Sequence, residues 1–201
     1  MPSNKPLLVG ITGGIGAGKS IVSKVFEILG IPKYDADSRA KWLMSNDPKL
    51  VQAITSLFGA EAYQEDQLNR KHIAAKAFDE KSLLGQLNQL VHPAVGHDFI
   101  SWAQSQSTPY ILKEAALLFE TGSYKDLDKI ITVIAPESTR IQRVIKRDQR
   151  TEEQVKAIIS NQMSEEEKIA QSDFVVTNDN EHLVIEQVLK IHHTLLDQIS
   201  R

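Results

Sequence analysis

Gly13-Gly14-Ile15-Gly16-Ala17-Gly18-Lys19-Ser20, directly after the apolar run Leu7-Leu8-Val9-Gly10-Ile11-Thr12, decides the fold of this chain. The spacing Gly13-x4-Gly18-Lys19-Ser20 is that of a phosphate-binding loop. Its glycine-rich turn aims successive backbone N–H groups at phosphate oxygens, Lys19 reaches the β- and γ-phosphates, and Ser20 reaches a bound Mg²⁺. The glycines allow backbone angles and a close approach that a Cβ would obstruct, and the helix that follows directs its partial positive charge at the anion. Ile21, Val22, Val25, Phe26 and Leu29 supply that helix, with Gly30 as its stop. A strand before the motif and a helix after it separate a phosphate loop from an ordinary glycine turn.

Working outward, further β-type runs lie at 31–35, 110–115, 129–134 and 173–177, separated by helical patterns, which predicts a parallel α/β sheet. Ligands on such sheets gather at the carboxyl ends of the strands, which directs attention to Asp35, Asp37 and Glu114. Two stretches are too long and too polar for simple crossovers. Residues 38–108 form a helical insertion with a start at Asp47-Pro48, an apolar stripe at Leu83, Leu84, Leu87, Leu90 and Val91, and a break at His92-Pro93. Residues 136–170 form a second, lid-like insertion with capping boxes at Thr151–Gln154 and Ser164–Glu167. The core is then 1–37, 109–135 and 171–201.

Composition sets outer bounds. The 201 residues, 41% hydrophobic and 24% charged, suit a globular enzyme with a sizeable core. A net charge of −3 supplies no general basic field for nucleic acid or an anionic membrane. With no cysteine, disulfides, zinc thiolates and thiol nucleophiles are excluded. The N-terminal apolar stretch is short and runs straight into the loop, without the pattern of an export signal, and the expected compartment is the cytoplasm.

Several side chains have two readings. Asp37 is either a general base that accepts the proton of an attacking hydroxyl or a cap for a helix starting at Ser38. In an extended chain Asp35 and Asp37 would share one side. Glu114 either holds Mg²⁺ through water or orients substrate or its neighbours. Arg140, Arg143 and Arg147 lie on one helical face, as a phosphate clamp or as a solvated basic surface, and Arg147 is the first choice for the clamp. His92 is a weaker candidate, because His-Pro at a helix boundary is commonly structural.

The residues resemble the dephospho-coenzyme A kinase family almost end to end. Thr12–Ser20 matches its loop and Asp35-Ala36-Asp37 its acidic signature. Leu57-Phe58-Gly59, Leu68-Asn69-Arg70-Lys71, Leu87–Pro93, Leu117-Leu118-Phe119-Glu120, Arg143-x3-Arg147-Asp148, Gln162 and Asp173–Asn178 follow in family order. The resemblance implies an α/β, P-loop NTPase core with a five-stranded parallel sheet flanked by helices, plus helical substrate-binding and lid insertions. It implies transfer of the ATP γ-phosphoryl group to the ribose 3′-hydroxyl of dephospho-coenzyme A, with ATP and Mg²⁺ required. The partners are then those two substrates, with no nucleic acid and no membrane, for a monomer or weak homo-oligomer.

Carried onto this sequence, the resemblance makes Asp37, Lys19 and Arg147 catalytic and Ser20 the Mg²⁺ ligand. Gly14, Ile15, Gly16, Ala17, Gly18, Lys19, Ser20, Ile21, Arg147 and Asn178 bind ATP, Asn178 at the adenine. Asp37, His92 and Glu114 bind the acceptor. Ala116, Lys41 and Ile158 depart from the family pattern; Lys41 keeps the charge of an arginine without its two-pronged donor, and Ile158 lacks a phosphate contact. The alternatives are another nucleoside, nucleotide or small-molecule kinase, and a GTP-hydrolysing switch, which is disfavoured because the chain has no Asn-Lys-x-Asp motif.

Overall fold

Leu7–Thr12 forms strand β1, with Val9 and Ile11 fully buried on one face, and the phosphate loop carries the chain into helix α1 (Lys19–Ile28). The computed structural model describes residues 5–80 and 82–200. The chain continues through β2 (Lys33–Asp35), α2 (Ala36–Asn46), α3 (Pro48–Phe58), β3 (Tyr63–Gln64), β4 (Gln67–Leu68), α4 (Arg70–Asp79) and α5 (Ser82–Gln104). It closes with β5 (Tyr110–Glu114), β6 (Lys129–Ile134), α6 (Glu137–Asp148), α7 (Glu152–Ser160), α8 (Glu165–Ala170), β7 (Phe174–Thr177) and α9 (Val184–Ile199).

Two compact units result: one from the chain up to Asp35 together with the chain from Ala103 onward, the other Ala36–Trp102. In the first, the five parallel strands run in the order β2-β5-β1-β6-β7. The chain leaves β1 in one direction to build β2 and β5, and later in the other to build β6 and β7. The phosphate loop therefore sits at the reversal of strand order, where open α/β sheets bind ligands. Val22 and Phe26 of α1 and Val188, Ile191 and Leu195 of α9 pack with Val9, Ile11, Tyr110, Leu112, Ile131, Val133 and Val176 of the strands. The Phe26 ring meets that of Tyr110 edge-on at 6.3 Å. Burial of such side chains contributes roughly 1.5–3 kcal/mol each and fixes the base from which the loop projects. Helices α6–α8 belong to this unit, with Ile141, Val144 and Val155 forming a small core of their own.

In the second unit, Asp47 caps α3 by accepting from the Lys49 and Leu50 N–H groups, as Asp47-Pro48 predicts. The β3–β4 hairpin turns through Glu65 and Asp66, both at positive φ, the conformation of a two-residue hairpin turn that follows strand twist. The break expected at His92-Pro93 does not occur, and α5 runs through Pro93. Proline costs one i→i−4 bond, but Pro93 is on the exposed face, where water replaces the partner. Buried Val91, Val95 and Phe99 keep their four-residue spacing across it. Packing on the inner face outweighs the missing bond.

Candidate active site

The loop's shape follows from what grips its carbonyl groups. Gly16 and Gly18 adopt φ of +79° and +95°, and a Cβ on Gly18 would collide with the Asn178 amide nitrogen. Ala17 N–H donates to Gly14 C=O at 3.1 Å, closing a tight turn through Ile15 and Gly16. Asn178, buried just beyond β7, donates from Nδ2 to Ala17 C=O at 2.8 Å. Arg143 reaches Gly16 and Ala17 C=O from Nη1 at 3.5 Å each, while its Nη2 donates to Asn180 Oδ1 at 3.0 Å. Carbonyls held by outside donors leave the opposite side of the turn to N–H groups. Such a concave row of amides at a helix N-terminus is a site for phosphate oxygens.

Lys19 opens α1, and its Nζ donates to Gly13 C=O at 2.9 Å and Gly14 C=O at 3.4 Å, so its ammonium lies folded over the loop's first half. Ser20 and Ile21 follow, both exposed on the first turn. Ile15 differs from its neighbours in the loop: its N–H donates to Gln162 Oε1 at 2.9 Å.

The three arginines of α6 separate. Arg140 is buried against the loop, its side chain beside Gly14 and its backbone beside Gly16. Arg143 is partly buried, and Arg147 is exposed, holding Asp148 through Nε at 2.7 Å and Nη2 at 2.8 Å. The Asp148 bonds raise the Arg147 guanidinium above its ordinary value and hold the Asp148 carboxyl below its own. Behind the loop, burial pushes the Glu165 carboxyl up, although Arg140 and the Ala135 N–H act the other way. Among the described residues, Arg140 Nε, Glu165 Oε2 and Lys168 Nζ are buried without a hydrogen bond of good geometry, although Lys168 Nζ has an ion-pair partner. Lys168, 1% exposed, places Nζ 3.0 Å from Glu120 Oε1, which also accepts from Met163 N–H at 3.0 Å. Burial works to raise the Glu120 carboxyl, but its own backbone N–H, the Lys168 ammonium and the Met163 N–H together bring it below the usual range.

At the carboxyl edge of the sheet, Glu114 pairs in register with Asp35, and its Oε2 lies 3.2 Å from Lys33 Nζ. Asp35 ends β2, whereas Asp37 is already in the first turn of α2. The helix starts at Ala36 rather than Ser38, so extended-chain alternation does not relate the two carboxylates and Asp37 is not the residue before the helix. Asp37 is exposed, and so is His92 on α5. Glu120, Glu165 and Lys168 carried no role in the sequence reading. A buried lysine on the polar helix Glu-Glu-Glu-Lys leaves no trace in periodicity, and Glu120 was visible only within Leu-Leu-Phe-Glu.

The family model for dephospho-CoA kinase matches residues 7–183. The chain belongs to the dephospho-CoA kinase family. A dephospho-CoA kinase of Porphyromonas gingivalis is 40% identical over 190 residues, 94% of each chain. A solved structure from Thermus thermophilus superposes with a TM-score of 0.84 at 32% identity, covering 94% of this chain and 97% of that one. A dephospho-CoA kinase from Campylobacter jejuni shares the fold, with a TM-score of 0.68 at 24% identity over 94% and 96% of the two chains. The activity is accordingly that of a dephospho-CoA kinase, an ATP-using phosphotransferase at the last step of coenzyme A synthesis, and a different small-molecule kinase is not favoured. This places the expected five-stranded parallel sheet and its glycine-rich loop in a kinase core.

Proposed function

We propose that this kinase transfers the γ-phosphoryl group of ATP to the ribose 3′-hydroxyl of dephospho-coenzyme A, and that the loop Gly14–Ser20 with Ile21 holds the triphosphate. The observation that carries this assignment is the grip of Asn178 and Arg143 on the Ala17 carbonyl, since in a planar trans peptide the Gly18 N–H of the same unit points the opposite way, toward a ligand. Lys19 exchanges the Gly13 and Gly14 carbonyls for phosphate oxygens and offsets charge that spreads over the transferred group. Arg147 takes the outer phosphates. Its hold on Asp148 is exposed and exchangeable, and a guanidinium binds a phosphate with the same two-pronged geometry.

The donor chemistry suits Mg²⁺. Ser20 would hold the ion through its hard hydroxyl oxygen, directly after Lys19; Glu114, next to Asp35 in register, would act on it through water or else orient the acceptor or its neighbours. Bound there, the ion would neutralise charge on the phosphate oxygens. Asp37 is assigned as the base: its exposed carboxylate accepts the 3′-hydroxyl proton as that oxygen attacks phosphorus, and ADP departs. The helical unit 36–102, with His92 on α5, is assigned to the acceptor, and α6–α8 to the lid. No helix among the described residues is long and apolar enough to cross a membrane. The cytoplasm, and a monomer or weak homo-oligomer that binds no nucleic acid, are assigned separately, on the sequence reading alone.

The experiment combines purified protein, ATP, Mg²⁺ and dephospho-coenzyme A, with the product identified by mass and phosphate position. Asp37→Asn should lower kcat by about 10²-fold or more while nucleotide affinity survives. Full activity of that variant would remove Asp37 as the base.

A further inference from the structure

We propose that Gln162 is a positioning residue for the phosphate loop, a side-chain latch from the α7–α8 connection that holds the Ile15 N–H and keeps the loop in its nucleotide-competent shape. The inference rests on the assignment of this loop to the triphosphate.

The Gln162 contact is delivered from a fixed base. Met163 N–H, the next residue's, donates to Glu120 at 3.0 Å, and the Lys168 ammonium reaches the same carboxylate at 3.0 Å. Ser164 and Glu167 close a capping box, with the Ser164 hydroxyl accepting from the Glu167 N–H and the Glu167 carboxylate accepting from the Ser164 N–H. Four consecutive residues after α7 thus have their N–H groups held: Asn161 by Ile158 C=O at 3.3 Å, Gln162 by Ile159 C=O at 3.1 Å, Met163 by Glu120 and Ser164 by Glu167. The Gln162 carboxamide projects from this strap to the loop.

On the loop side, Ile15 occupies the second position of the turn closed by Ala17 N–H and Gly14 C=O, and Gly16 supplies the positive φ after it. Donors from Asn178 and Arg143 fix the far half of the turn through its carbonyls. Gln162 fixes the near half through an amide. The loop is clamped from both ends of its sharpest bend, by segments 126 to 161 residues away in sequence. Losing the Gln162 bond frees one end, and the competent conformer then makes up a smaller fraction of the population. Apparent affinity falls in proportion to that fraction for every ligand that needs the loop, ATP and ADP alike. One neutral hydrogen bond corresponds to about a 3- to 10-fold change. Once nucleotide saturates, the loop is restored and the chemical step proceeds as before.

The test uses Gln162→Leu, which keeps the bulk and loses the acceptor. It should weaken ATP and ADP binding by the same factor, about 3- to 10-fold, raise KM for ATP, and leave kcat at saturating ATP and KM for dephospho-coenzyme A near wild type. A role confined to stability would lower Tm and leave nucleotide affinity unmoved. Amide hydrogen exchange at Ile15 gives a readout independent of catalysis: protection should fall in Gln162→Leu and return in Gln162→Glu, which keeps an acceptor oxygen. Ile15→Pro removes the donor instead, at a turn position that favours proline. Its loss of nucleotide affinity should match that of Gln162→Leu, and the double variant should be no worse than either. Wild-type nucleotide affinity in Gln162→Leu, or additive losses in the double variant, would overturn the latch. Lys19→Ala is the control for the underlying assignment, because full turnover in that variant removes the loop from ATP binding whatever Gln162 does.

Discussion

Substituting Asn178 by alanine separates two roles for one side chain. The family resemblance places Asn178 at the adenine, while its Nδ2 donates at 2.8 Å to Ala17 C=O inside the loop, and only 7% of the residue is exposed. Deletion of the carboxamide leaves the Ala17 carbonyl without that donor in a site water reaches poorly. It also opens space where the amide nitrogen stood against Gly18. An abandoned buried acceptor costs about 1–3 kcal/mol. Arg143, at a long 3.5 Å from the same carbonyl, offsets little of it. Asn178→Ala should therefore lose about 1–3 kcal/mol in urea unfolding without a change in slope. It should bind ATP and GTP more weakly by a common factor, since a distorted phosphate cradle does not distinguish bases. An adenine contact predicts the opposite pattern, with stability kept and the ATP/GTP preference reduced. Titration of both nucleotides against the variant, alongside the unfolding curve, decides between them. Unchanged stability with a collapsed base preference would refute the buttress.

Two further predictions address the arginines and the buried ion pair. Arg147→Lys should lower kcat/KM for ATP by about 10-fold with Tm unchanged, because an exposed lysine keeps the charge without the planar fork. Arg143→Lys should lower both Tm and nucleotide affinity, because Arg143 bridges Asn180 and the loop carbonyls; steady-state kinetics and thermal melts of the two variants provide the comparison. Glu120→Gln strands the Lys168 ammonium in the interior and should cost up to about 3 kcal/mol near neutral pH, the low end for breaking a buried pair because Glu120 keeps one edge in water. The folded-state pKa of Glu120 is lowered, so its contribution is fully present above the ordinary carboxylate value and disappears as pH falls through the folded one. The gap between wild type and Glu120→Gln should close on acidification, and a constant gap from pH 7 to pH 3 would contradict the pairing.

Legibility in the sequence followed the physics of each feature. The loop, β1 and α1 could be read because the glycines, the lysine and the apolar spacing are local. Both capping boxes and the Asp47 cap formed as written for the same reason, since each is a contact between residues two or three apart. Pro93 misled because a proline's local cost was weighed without the buried positions on either side of it. Asp37 was read on an extended chain that becomes helical one residue earlier. Gln162, Glu120 and Lys168 act across 43 to 147 residues of separation, and nothing in a one-dimensional pattern relates Gln162 to Ile15 or Lys168 to Glu120 beyond their order in a family signature.

These long-range contacts explain why a loop of small residues can keep one shape. Glycine gives Gly16 and Gly18 access to positive φ, but the same freedom enlarges the set of shapes they adopt when unrestrained. A phosphate site needs its amides aimed before the anion arrives, since ordering them on binding subtracts from affinity. Asn178 and Arg143 restrict the loop through its carbonyls and Gln162 through the Ile15 amide, and each comes from a segment anchored elsewhere. The segment assigned to the lid therefore bears on the loop itself, through Arg143 on α6 and Gln162 between α7 and α8. Their displacement on opening or closing would alter the phosphate grip directly, and the affinity for nucleotide and the position of α6–α8 are then two readings of one equilibrium.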